Sequence, residues 1–87
     1  DFAFLFPKKI HANEILKKVK KVDKNLIQKV TIFDVYEGDK LPDDKKSIAF
    51  RVLMQPADKT FSDQEIENLS KQIIDVISKS FDASIRN

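Results

Sequence analysis

The chain contains no cysteine, which removes disulfide frameworks, thiolate metal sites and Fe–S ligand sets together. That usage suits a reducing cytosol. A single glycine, Gly38, leaves no means of building a phosphate-cradling loop or a nucleophile elbow. The one histidine, His11, has no acid or nucleophile at a spacing that would make it a general base, and it reads as a helix-start or surface residue. Asp43 and Asp44 follow a proline and read as a turn rather than a metal site. Nowhere do about 18 apolar residues run together, and the opening "DFAFLFPKK" begins with an acid, so neither a membrane-spanning helix nor a signal peptide is expected. Autonomous catalysis, a metal and a bound cofactor are not expected of these residues.

What is present suits one small domain. The 87 residues are 41% hydrophobic and 34% charged, a balance that gives a packed interior under a solvated surface. The chain opens inside what reads as a strand, so residues 1–87 are expected to be a single domain cut from a longer protein. Net charge is only +2 but unevenly spread. Eight lysines from Lys8 to Lys29 against Glu14 and Asp23 leave +6, eight basic and eleven acidic residues from Val30 onward leave −3, and Asp1 adds −1. Such a patch either steers a polyanion or merely solvates a helix face.

Periodicity orders the elements. Phe2, Phe4 and Phe6 alternate with Ala3 and Leu5, a strand closed by Pro7. Ala12, Ile15, Leu16, Val19 and Val22 make the apolar stripe of a helix started by His11 or Asn13, with Lys17, Lys18, Lys20 and Lys21 on its other side. Leu26 to Tyr36 is β-branched and aromatic. Its apolar parity changes near Ile32, where a β-bulge would turn both Val30 with Ile32 and Phe33 with Val35 to the core. A polar hairpin loop, "GDKLPDDKK", leads to a strand from Ser47 to Gln55 with Ile48, Phe50, Val52 and Met54 on one side. Ser62 and Glu65 form a capping box, and Phe61 with Ile66 a hydrophobic staple. Ile66, Leu69, Ile73, Val76 and Ile77 form the buried stripe of that second helix, and Ala83 to Arg86 is a last strand.

The order β-α-β-β-α-β predicts an α+β, ferredoxin-like domain: a four-stranded antiparallel sheet with two helices on one face, and the first and third strands central. The other face is open. Ala3, Asp34, Tyr36, Ser47, Ala49 and Arg51 are expected there. A ring and an acid two residues apart on one strand face lie about 7 Å from each other, a spacing that addresses the plane and the edge of one nucleobase. Tyr36 would stack, Asp34 accept from base N–H groups, Ser47 donate to a base or sugar, and Arg51 hold a phosphate or stack, while Ala3 keeps the floor flat. The plainer alternative is a solvated sheet surface with Asp34 paired to Arg51 across strands.

"FDVYEG", "LPDDKKSIAF", "KTFSDQEI" and the terminal "ASIR" resemble the ferredoxin-fold anticodon-binding domain of the β chain of bacterial phenylalanyl-tRNA synthetase, over essentially the whole chain. The resemblance implies binding of the anticodon stem-loop of tRNA(Phe). Its first anticodon base, a guanine, is then stacked on Tyr36 and read by Asp34, with Ser47 and Ala3 nearby; Arg51 rests on strand geometry alone. It further implies a cytoplasmic ligase with no membrane attachment, a dimer of heterodimers in which this domain joins the remaining β-chain domains and the α chain. ATP and magnesium would serve catalysis on that other chain. Asp43 and Asp44 and Pro7 depart from the family's pattern away from the reading residues. The competing expectation is a regulatory or interaction module that binds a small ligand or dimerises through its sheet, since fold alone does not assign function.

Overall fold

The computed structural model describes residues 1–54 and 62–86. In β1 (Phe2–Pro7) the three phenylalanines are buried and the residues between them only partly so, as alternation requires. Helix α1 (Ala12–Val22) begins at His11, whose backbone N–H donates to Glu14 Oε2 at 2.8 Å. The helix buries Ile15 and Val19 and stops at Asp23. Asp23 Oδ1 accepts from the N–H groups of Asn25 at 3.0 Å and Leu26 at 3.1 Å, a side-chain turn that feeds the chain into β2 (Ile27–Tyr36).

A loop in which the Leu41 N–H donates to the Gly38 carbonyl joins β2 to β3 (Lys45–Met54). Beyond β3, the expected strand end at Gln55 and the staple residue Phe61 lie outside the described residues. Helix α2 (Asp63–Phe81) carries the expected capping box. The Glu65 N–H donates to Ser62 Oγ and the Ser62 N–H to Glu65 Oε1, both at 3.2 Å. Leu69, Ile73 and Ile77 are buried and Val76 is partly so, but Ile66 is exposed. It sits in the first turn, at the rim of a hollow beside Val52 and Met54, rather than over the sheet. The helix ends at Asp82 in the left-handed region (φ 52°), and β4 spans only Ser84–Ile85, shorter than the expected Ala83 to Arg86.

The sheet order is β2-β3-β1-β4, all neighbours antiparallel, with β1 and β3 central as right-handed crossovers demand. One cluster forms the core: Phe2, Phe4 and Phe6 of β1 and Ile48 and Phe50 of β3 meet Ile15 and Val19 of α1 and Leu69, Ile73 and Ile77 of α2. Phe4 and Phe50 stack with centroids 5.9 Å apart, and Phe6 and Phe81 meet edge-to-face at 6.0 Å. This is the ferredoxin-like α+β arrangement, with both helices on the phenylalanine side of the sheet and the opposite side open.

Candidate nucleic-acid interface

The open face takes alternate residues of the central strands: Ala3 and Leu5 from β1, and Ser47, Ala49 and Arg51 from β3. Strand β2 reaches it through the expected bulge. Ile32 pairs with Phe50, and the register then jumps so that Asp34 pairs with Ala49 and Tyr36 with Ser47, leaving Phe33 unpaired. The bulge does not carry Phe33 into the core. A bulge re-aims its unpaired side chain, and here the ring, 52% exposed, lies with the Arg51 guanidinium 5.4 Å from its centroid. Val35 does pair with Ile48 on the helix side. It is nevertheless 53% exposed, whereas Ile27 and Val30 nearer the start of the same strand are buried.

Tyr36 is 41% exposed, and its ring folds back onto the hairpin loop. A Cβ on Gly38 would stand 2.7 Å from Tyr36 Cζ and nearer still to its Oη. Gly38 has no positive φ, so glycine is needed there for close approach rather than for an unusual turn. Asp34 is exposed and makes no hydrogen bond or ion pair among the described residues. Arg51 turns instead to Asp1, with Nε 3.0 Å from Oδ1 and Nη2 3.3 Å from Oδ2. The cross-strand pair that would have neutralised Asp34 does not form.

Ser47 is placed on this face but only 5% exposed. Its Oγ accepts a hydrogen bond from Arg86 Nη1 at 2.9 Å, while the Arg86 backbone N–H donates to the Ala3 carbonyl at 2.8 Å. A ligand approaching Ser47 therefore meets Arg86 first. Arg86 and Phe33 are among the open-face residues that sequence reasoning missed. Arg86 could have been found by parity, since it alternates with the buried Ala83 and with Ile85, which pairs with Phe4. Ala3, half-buried and opposite Ala49, forms a low floor between the side chains that rise around it.

A family model described as the ferredoxin-fold anticodon binding domain matches residues 1–86. The chain belongs to this family. Among similar proteins, the phenylalanine–tRNA ligase beta subunit of Rhodopseudomonas palustris is 44% identical over 86 residues, 99% of this chain and 11% of the relative. That of Nitrobacter winogradskyi is 42% identical over the same shares. The Rickettsia conorii beta subunit is 38% identical over 99% of this chain and 10% of its own length. The chain thus spans about a tenth of the length of these relatives.

In this anticodon binding domain the open face combines an exposed phenol ring, a carboxylate with no partner among the described residues, two guanidinium groups and a small-residue floor. Those groups can grip a flat, edge-donating, anionic ligand. No group of three or more histidines or carboxylates that could hold a metal occurs among the described residues, and none of their helices is long and apolar enough to cross a membrane.

Proposed function

We infer that the domain binds the anticodon stem-loop of tRNA(Phe) on its open sheet, with the first anticodon base, a guanine, resting against Tyr36. The reading draws on the family match and on the names of the similar beta subunits. The observation that carries it is the pairing of an exposed phenol with an unpartnered carboxylate on one uncovered face. Asp34 accepts from the N–H groups of guanine's Watson–Crick edge; adenine presents a lone pair at the corresponding ring position and is repelled. Tyr36 supplies stacking that tolerates any base, so discrimination falls to Asp34. Arg86, held by Ser47 and Ala3, borders the same floor and offers charge-assisted donors to sugar or phosphate.

In this reading the domain works in the cytoplasm as one part of a phenylalanine–tRNA ligase, beside further β-chain domains and an α chain. ATP and magnesium act there at a centre outside these residues. Chemical-shift mapping with an anticodon stem-loop tests the site. Perturbations should centre on Ala3, Asp34, Tyr36 and Arg86, and weaken when the first anticodon base is changed from guanine to adenine. Shifts confined to α1 and α2 would refute the sheet-face site. A concentration-dependent rise in mass, insensitive to Tyr36→Ala, would favour dimerisation through the sheet instead.

A further inference from the structure

Arg51 and Phe33 lie away from the base position just described. Tyr36 pairs with Ser47, and Ser47 to Arg51 is four steps along β3, about 13 Å at ~3.3 Å per residue. A base that rests on Tyr36 and is read by Asp34, which pairs with Ala49, stops two residues short of Arg51. At the far position three observations coincide. Phe33 is a large exposed ring on a sheet surface. The Arg51 guanidinium covers that ring at 5.4 Å. Asp1 then holds Arg51 by two contacts, at Nε and Nη2.

The clamp has a geometric consequence. Asp1 engages the edge of the guanidinium in its own plane, as bidentate carboxylates do, so the two flat faces remain. Phe33 lies beneath Arg51 with its ring centroid 5.4 Å from the guanidinium carbon, and the Arg51 side chain is still 66% exposed. The carboxylate also opposes the charge and occupies two of the donors that a phosphate would seek, which favours a stacking surface over a phosphate clamp. A planar guanidinium is a suitable floor for an unstacked base.

We propose that Phe33, Arg51 and Asp1 form a second platform, on which another loop nucleotide stacks while the first anticodon base occupies Tyr36. This rests on the function inferred above. The open sheet then fixes two points of a single strand, so that the loop is held in one direction along β2 and β3.

The test measures affinity of the chain for anticodon stem-loop hairpins that each lack the base of one loop nucleotide. In the unmodified chain, removing one base other than the first anticodon base should weaken binding about tenfold, in the range of a lost base stack. In Arg51→Lys, which keeps the charge but not the plane, the same removal should cost nothing further; in Phe33→Leu, which keeps the Asp1 clamp but removes the ring that backs the guanidinium, it should cost less than in the unmodified chain. The slope of affinity against salt should not change in either variant, because the cationic charge is preserved. Thermal melts identify any variant that has lost its fold, and either variant alone decides the question. Identical base-removal profiles in variant and unmodified chains overturn the second platform. If Tyr36→Ala also leaves affinity unchanged, the inferred function fails and this platform falls with it. If Tyr36→Ala weakens binding while the profiles stay identical, only the second platform is lost.

Discussion

Gly38 and Tyr36 constrain each other more tightly than their separation in sequence suggests. Because a methyl group on Gly38 would overlap the phenol end of Tyr36, Gly38→Ala forces the ring to swing off the loop. The loop backbone itself tolerates alanine, since φ is not positive. The melting temperature should therefore move little while hairpin affinity drops by a sizeable fraction of the loss in Tyr36→Ala, itself about 1 to 3 kcal/mol. An affinity unchanged by Gly38→Ala would mean that the seated ring position is not the one used in binding. Asp34→Asn separates affinity from discrimination. Asparagine keeps the shape but adds donors that suit the acceptors of adenine. The guanine-over-adenine preference should collapse while affinity for the adenine hairpin rises, as read by competition between the two hairpins.

At the scale of elements, the box at the start of α2 is the clearest local device. Ser62 and Glu65 satisfy each other's backbone N–H groups at 3.2 Å, so Ser62→Ala should cost about 1 kcal/mol, measured by denaturant titration. Because α2 packs on the face away from Tyr36, hairpin affinity at a temperature where the variant is folded should not change. These elements also show what the sequence can and cannot disclose. Parity assigned the faces of β1 and β3 because unbroken alternation admits one answer. It located the bulge near Ile32 but not the direction of Phe33, since a bulged residue belongs to neither parity and its side was settled by Arg51, far away in sequence. The Arg86 to Ser47 bond joins residues 39 apart and becomes visible only when β4 is laid beside β1. Asp1 took Arg51 from Asp34 for the same reason: a partner across the sheet leaves no local signature.

The whole molecule places its excess positive charge away from the proposed reading surface. Lys17, Lys18, Lys20 and Lys21 lie on α1, and none of them forms an ion pair among the described residues, whereas on α2 Lys71 and Lys79 pair with Glu67 and Asp75 at 3.2 and 3.1 Å. Screening decides what unpaired lysines on the far layer can do. The Debye length is about 30 Å at 0.01 M salt but about 8 Å at 0.15 M, so they act on an RNA at the open sheet only when salt is low. Reversing Lys17 and Lys20 to glutamate takes the net charge from +2 to −2, since each reversal removes two. Stopped-flow association with the hairpin should slow severalfold at about 0.01 M salt, and the variant should match the unmodified chain at about 0.15 M. The guanine preference should be the same at both salts, because in the proposed mode the base rests on the sheet and not on the helix layer. A rate deficit that persists undiminished at high salt, or a lost preference for guanine, would mean that α1 touches the RNA directly and that the sheet does not bind it alone.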